Sequence, residues 1–217
     1  MSLITFRTED GLTLEGELRS PDGRPRGTAV ICHPHPQHGG SKDHPVLWAI
    51  RNDLASNRGL CVLGFNFRGI MGSEGEFGDG IEEVKDARAA VDRVREEAGG
   101  PTILVGWSFG AHVGLRYAVT DDRIAAVALV GMPLGEVPVS TPPLPAYDVL
   151  RSWQRPLLLV AGDDDPFSPV PLLLELSGRI PNAELRLFEG AGHFFRRRER
   201  EPAEAIGEFV DGVLEEG

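Results

Sequence analysis

Short runs of apolar residues recur along the 217-residue chain, and helix-length segments separate them. These runs are apolar at nearly every position, as in strands that are buried on both faces of a sheet. The runs cover residues 29–32, 61–65, 103–105, 124–130, 157–161 and 185–188. Buried strands that alternate with helices predict right-handed βαβ crossovers, and therefore a mostly parallel sheet in an α/β fold.

The segments between the runs have the spacing of amphipathic helices. In one of them, apolar residues recur at i, i+3, i+7 and i+10: Val84, Ala87, Val91 and Val94. Further helices are predicted at 45–56, 111–119, 170–176 and 202–214. Apolar positions on both sides of the turn Glu9-Asp10-Gly11 predict an N-terminal antiparallel hairpin. We expect helices on both faces of the sheet and a single domain over residues 1–217.

One segment interrupts this alternation of predicted strands and helices. Residues 133–153 hold five prolines and show no clear periodicity. The segment is longer than an ordinary connection between elements, yet too short for a folded lid domain. It therefore predicts an irregular, Pro-rich flap over the functional site and no large lid.

Composition and charge disfavour several classes of partner. Acidic residues outnumber basic ones 33 to 22, which gives a net charge of −11. Such a surface repels phosphate backbones and anionic lipid, so we expect no nucleic-acid or membrane partner. No secretory signal pattern or membrane-length apolar run is evident, which predicts a cytoplasmic protein. Cys32 and Cys61 lie in or beside predicted strands, which indicates buried, reduced thiols.

The segment Gly106-Trp107-Ser108-Phe109-Gly110 fits the pattern G-x-S-x-G between a predicted strand and a predicted helix. Such a sharp turn forces its central residue into a strained backbone conformation, and glycines on either side avoid clashes. Ser108 would then present its hydroxyl at a helix N-terminus, where the amide of Phe109 can bind a developing oxyanion. The alternative is a serine that only caps the helix.

A nucleophilic serine needs a base and a carboxylate that orients the base. Among six histidines, His193 follows the last predicted strand in a glycine-containing loop, from which it can reach the edge where Ser108 lies. The alternative is a solvent-exposed loop histidine. Asp163, Asp164 and Asp165 follow another strand, and spacing does not choose among them. A metal site and solvated turn residues are alternatives for these acids.

In these motifs the chain resembles the α/β-hydrolase superfamily. The segments 106–110, 162–169 and 190–195 occur in the chain order Ser…Asp…His of that superfamily. The resemblance implies the α/β-hydrolase fold, with Ser108 as nucleophile and His193 as base. It places the acid at Asp165, three residues after the glycine that ends the strand. It also implies that no cofactor and no metal are needed.

The segment His33–Gly40, with the sequence HPHPQHGG, is similar to a histidine–proline loop of small, lidless hydrolases related to dienelactone hydrolase. The resemblance places the second oxyanion amide at His35, with Gln37 as second choice, since proline has no N–H. Dienelactone hydrolases use cysteine at the elbow, whereas residue 108 is serine, so that substrate does not follow from the resemblance.

A metal site is the alternative role for this loop, built from His33, His35 and His38. It is disfavoured because the prolines would hold the loop rigid and extended, and because no acid or cysteine ligand accompanies the histidines.

Residues beside these motifs are candidates for the substrate pocket: Gln37, Trp107, Phe167 and Phe194. The basic run Arg196–Arg198 lies close behind His193 and is typical of a solvated patch that offsets nearby acids. The alternative is a rim that steers anionic substrates.

Together these features predict a serine hydrolase that cleaves small carboxylic esters through an acyl-enzyme. Its expected partner is a small-molecule ester, and no pattern indicates an oligomeric state. A peptidase, thioesterase or acyltransferase with the same three residues is the alternative chemistry. A non-catalytic binding module is the alternative class, because a fold does not determine a function.

Overall fold

The computed structural model describes residues 1–136 and 140–216, the last of these by its backbone only. The strands are β1 (Ser2–Arg7), β2 (Thr13–Arg19), β3 (Gly27–Cys32), β4 (Leu60–Phe65), β5 (Thr102–Trp107), β6 (Ile124–Val130), β7 (Leu157–Gly162) and β8 (Ala183–Phe188). The helices are α1 (Pro45–Ser56), α2 (Glu83–Glu97), α3 (Phe109–Ala118), α4 (Tyr147–Ser152), α5 (Val170–Arg179) and α6 (Arg200–Glu216).

All eight strands form one sheet in the order β1-β2-β4-β3-β5-β6-β7-β8. Strand β2 runs antiparallel to β1 and β4, and each other neighbouring pair is parallel. The strands β3, β4, β5 and β7 are buried at every position, whereas the edge strand β8 is only partly buried. The predicted mostly parallel sheet with an N-terminal antiparallel hairpin is confirmed.

Two apolar layers cover the sheet. Helices α1 and α6 pack on one face, and α2 to α5 contribute side chains to the core on the other face. Each fully buried leucine or isoleucine in these layers stabilises the fold by roughly 1.5–3 kcal/mol. With both faces covered, the loops at the carboxyl ends of the parallel strands are the natural place for a site. Cys32 and Cys61 are buried, free thiols in this core, as predicted.

The predicted helices are present, and the structure adds two short ones: α4 and a 3-10 helix at Pro36–His38. Both escape sequence analysis because they are too short to show a helical period. No helix in the described ranges is long and apolar enough to cross a bilayer, and none of them forms a separate lid.

Described residues of the Pro-rich segment 133–153 contact helix α3. His112 Nε2 donates a hydrogen bond to the carbonyl of Pro133 over 2.7 Å, and Arg116 donates one to the carbonyl of Pro143 over 2.9 Å. Helix α4 lies within the segment, so the prediction of a wholly irregular flap is wrong there. Residues 137–139 of the predicted flap lie outside the described part of the chain.

Candidate active site

Ser108 lies in the turn between β5 and α3 with φ 56° and ψ −118°. This is a positive-φ conformation that L-residues rarely adopt. A Cβ atom on Gly106 would lie 2.3 Å from the carbonyl oxygen of Gly110, and one on Gly110 would lie 2.3 Å from that of Cys32. Glycine is therefore required on both sides of the serine, as the motif predicts.

The imidazole of His193 joins the two other predicted side chains. Its Nε2 lies 3.1 Å from Ser108 Oγ, and its Nδ1 lies 2.7 Å from Asp165 Oδ2. Because a carboxylate can only accept, we assign the proton to Nδ1, which leaves Nε2 to accept from the serine hydroxyl. Ser108, Asp165 and His193 are only 6%, 3% and 7% exposed. The structure thus brings the three predicted residues into one buried chain of hydrogen bonds.

The three consecutive aspartates have different surroundings. Asp165 is buried, and its second oxygen accepts the N–H of Phe167 over 2.8 Å. Asp163 is exposed and accepts the N–H of Gly190 over 2.7 Å, and Asp164 is exposed as well. The residue that reaches the imidazole is therefore Asp165, the one that the family resemblance implies.

Gly131, directly after β6, is a site residue that sequence analysis missed. A Cβ atom there would lie 3.2 Å from His193 Nδ1 and 3.3 Å from Asp165 Oδ2. Its φ of 50° also favours glycine. Gly131 thus leaves room for the imidazole and carboxylate to meet. The chain offers no local signal for this role beyond a glycine at a strand end.

Two backbone amides are candidates for an oxyanion hole. Phe109 is the first residue of α3, and the first amides of a helix have no partner within it. The carbonyl of Pro34 accepts a hydrogen bond from His33 Nδ1 over 2.6 Å. The peptide bond between Pro34 and His35 is trans, so its N–H and its carbonyl point in opposite directions. Because the carbonyl faces the ring of His33, the amide N–H of His35 faces away from that ring.

His33 therefore has a structural role, because its ring bonds to the backbone of two loops. Its Nε2 accepts the N–H of Phe67 over 3.0 Å, so both ring nitrogens are engaged by the backbone. Complete burial lowers the pKa of His33 to about 4, which keeps the ring neutral at pH 7. Among the residues that the structure describes, no group of three or more His, Cys, Asp or Glu could hold a metal ion.

Gln37 lies in the short 3-10 helix of the histidine–proline loop. Its N–H donates to His35 Nδ1 over 3.2 Å, and its side chain is exposed. The loop is not extended as predicted, and Gln37 as a pocket residue stays a prediction. The 3-10 helix at 36–38 turns this residue outward, and Gly39 follows it with φ 80°.

A cavity of about 240 Å³ opens over Ser108 and His193. The predicted pocket residues Trp107, Phe167 and Phe194 line it, together with His38 and His44, to which sequence analysis assigned no pocket role. No described residue of the segment 133–153 is among those that line this cavity, and a flap over the site stays a prediction.

The basic run beside His193 is partly neutralised. Arg198 pairs with Glu201 over 2.7 Å and donates to the carbonyl of Glu189 over 2.6 Å. The guanidinium of Arg196 lies 5.7 Å from the ring centre of Phe194 at the cavity. These contacts favour the interpretation of a basic patch that offsets nearby acids.

Known proteins share this architecture. A structure of an alpha-beta serine hydrolase homologue from Coxiella burnetii superposes with a TM-score of 0.83 at 28% identity, covering 95% of this chain and 96% of its own. Protein XC6422 of Xanthomonas campestris, a member of the a/b serine hydrolases without lid, gives a TM-score of 0.80 at 27% identity, with 97% and 93% covered.

Sequence comparison agrees with the structural likeness. The uncharacterized protein RP471 of Rickettsia prowazekii is 28% identical over 218 residues, which cover 97% of this chain and 89% of that protein. The family model described as the alpha/beta hydrolase family matches residues 30–152, which is more than half of the chain and includes Ser108. The chain therefore belongs to the alpha/beta hydrolase family.

Proposed function

We propose that the protein is a serine hydrolase that cleaves small carboxylic esters. The observation that carries this proposal is the buried chain of hydrogen bonds from Ser108 through His193 to Asp165, at the wall of a small cavity. Membership of a hydrolase family supports the reaction class. A serine hydroxyl, an imidazole that can accept its proton and an ionised carboxylate are the groups that acyl transfer needs.

In the first half of the reaction, Ser108 Oγ attacks the ester carbonyl carbon while His193 Nε2 takes the hydroxyl proton. Asp165 holds the ring by Nδ1 and stabilises the imidazolium that forms. The amides of Phe109 and His35 bind the oxyanion, and loss of one such donor typically costs about 3–4 kcal/mol of transition-state stabilisation. The imidazolium then protonates the leaving alcohol, and an acyl-serine remains.

In the second half, water attacks the acyl-serine. His193 Nε2 removes a proton from the water as it bonds to the carbonyl carbon, and the same two amides bind the new oxyanion. When this intermediate collapses, the proton passes to Ser108 Oγ and the carboxylic acid leaves. The residues return to their starting protonation states, so the chemistry requires no cofactor.

The size and walls of the cavity support small esters. Its volume of about 240 Å³ lies at or below the lower end of ligand pockets, roughly 300–1,000 Å³. Trp107, Phe167 and Phe194 give it apolar walls suited to a short acyl or alcohol group. Peptidase, thioesterase and acyltransferase activity use the same three residues, so peptide, thioester and alcohol-acceptor assays belong in the test. The cytoplasmic location and the small-molecule partner stay predictions.

A fluorophosphonate that reacts with activated serines tests the proposal. We expect wild-type protein to be labelled on the peptide that contains Ser108, and Ser108→Ala to remain unlabelled. Wild type should also hydrolyse 4-nitrophenyl acetate and butyrate, with rates that fall for long acyl chains. Labelling that survives Ser108→Ala would remove Ser108 as the nucleophile. Absence of both labelling and hydrolysis in wild type would favour a non-catalytic binding module.

A further inference from the structure

A second imidazole, that of His44, lines the cavity over Ser108 and takes no part in the proposed proton transfer. His44 immediately precedes helix α1, and its Nδ1 accepts the N–H of Val46 over 3.3 Å. Its ring packs edge-on against Trp107, with ring centres 4.2 Å apart. The helix start and the aromatic wall together hold this ring in one orientation.

The contact with the helix determines where the proton of His44 resides. Because Nδ1 accepts from the backbone, a neutral ring carries its proton on Nε2. Burial lowers the pKa of His44, which keeps the ring neutral near pH 7. Nε2 lies on the other side of the ring from the helix contact. Because the ring lines the cavity and its Nδ1 is engaged by the helix, Nε2 is the ring nitrogen left to donate a neutral N–H to a bound molecule.

The surroundings of this donor indicate the kind of acceptor. Glu199 is close enough to His44 to favour its charged form, and His193 is close enough to oppose it. A substrate carboxylate at His44 would be repelled by Glu199 and would gain no charge pair from a neutral ring. A neutral oxygen has neither disadvantage. In a pocket with mostly apolar walls, one fixed donor is enough to orient a ligand.

We infer that His44 is a specificity-determining residue of the proposed esterase. Its Nε2–H donates a hydrogen bond to an ether, hydroxyl or carbonyl oxygen on the acyl or alcohol group of the substrate. The inference rests on the proposed function. It predicts a preference for esters that carry a neutral oxygen over esters in which a methylene replaces that oxygen, because the apolar analogue leaves the donor unpaired.

Matched ester pairs test this preference. The acyl pair is 4-nitrophenyl methoxyacetate and 4-nitrophenyl butyrate, and the alcohol pair is 2-methoxyethyl butyrate and butyl butyrate. Within each pair an oxygen replaces a methylene. The kcat/KM ratio of a pair is compared between wild type and variants, so that the intrinsic reactivity of each ester cancels.

Two variants remove the donor in different ways. His44→Ser keeps a hydroxyl that can cap α1 but is too short to reach the place of Nε2, whereas His44→Phe keeps a ring against Trp107. His38→Ser is the matched control, because His38 lines the same cavity. Thermal unfolding of each variant verifies that it is folded.

We expect both His44 variants to lower the oxygen-to-methylene ratio by about three- to tenfold in one of the two pairs, the effect of one neutral hydrogen bond. The control should keep the wild-type ratio. Unchanged ratios in both pairs, or a loss confined to His38→Ser, would overturn the inference while leaving the proposed function intact. A wild type that hydrolyses none of the four esters and resists the fluorophosphonate would instead refute the proposed function, and the inference with it.

Discussion

His193 Nδ1 lies 2.7 Å from Asp165 Oδ2, although 28 residues separate the two along the chain. The contact is possible because the loops after β7 and β8 pack closely: a Cβ atom on Gly162 would lie 1.8 Å from the carbonyl oxygen of Ala191. The same packing turns Asp163 away, to the amide of Gly190. Close approach of two loop backbones therefore selects one acid from three.

Replacement of Asp165 by asparagine tests this selection. An amide at residue 165 can donate to Nδ1 and so favours the tautomer in which Nε2 cannot accept the serine proton. We expect kcat for 4-nitrophenyl butyrate to fall by about 10³–10⁴-fold in Asp165→Asn. Asp163→Asn and Asp164→Asn are matched controls that should retain activity within a few-fold. Equal losses in Asp163→Asn would contradict the assignment.

Gly131→Ala should disturb the contact between His193 and Asp165. The added methyl would lie 3.2 Å from His193 Nδ1, and displacement of the imidazole by even a fraction of an ångström would lengthen its bond to Ser108. We expect kcat to fall by up to about 10²-fold. Gly11→Ala is the control, since Gly11 has φ 88° with no atom within 4 Å of the added carbon. Steady-state kinetics and urea denaturation separate lost activity from backbone strain.

The role of the His35 amide can be tested with proline. His35 has φ −53°, which a proline ring adopts without strain, so His35→Pro removes the N–H at a compatible φ. His35→Ala removes the same imidazole but keeps the amide. We expect kcat of His35→Pro to be about 10²–10³-fold below that of His35→Ala. Similar kcat values in the two variants would show that the second oxyanion donor lies elsewhere.

Stability should fall in mild acid because of His33. Burial lowers the pKa of His33 to about 4, whereas an unfolded histidine titrates near 6.5. Between these values the unfolded chain binds a proton that the folded protein excludes. The contribution of neutral His33 to the free energy of unfolding is fully present above pH 6.5 and is lost as the pH falls through about 4. His33 alone should lower the free energy of unfolding by about 2 kcal/mol between pH 7 and pH 5.

Urea denaturation at several pH values measures this effect. Burial also lowers the pKa of His35, His44 and His112, which adds to the acid sensitivity in the same direction. His33→Asn isolates the contribution of one ring, since asparagine does not titrate and can still donate to the carbonyl of Pro34. The variant should show a shallower pH dependence than wild type. If the free energy of unfolding depends on pH equally in wild type and His33→Asn, His33 is not the source of the acid sensitivity.

Strand positions were predictable because burial on both faces demands apolar residues at consecutive positions, as in β4 and β7. Ser108 was predictable because the backbone of its turn requires glycine on both sides within five residues. His193 could be proposed from its place after the last strand, and Asp165 only with the help of a family resemblance. Helix α4 and the turn at residues 36–38 were missed, because short elements leave no period.

Local pattern alone was therefore enough for the fold class, the sheet edge that bears the candidate site and the choice of Ser108 as the candidate nucleophile. The contact of Asp165 with His193, the space that Gly131 leaves for it and the position of His44 on the cavity wall depended on the packed structure. Each of these features arises where segments far apart in the chain meet at distances of a few ångströms. Such distances depend on how strands and loops pack against one another. The spacing of residues along the sequence does not contain this information.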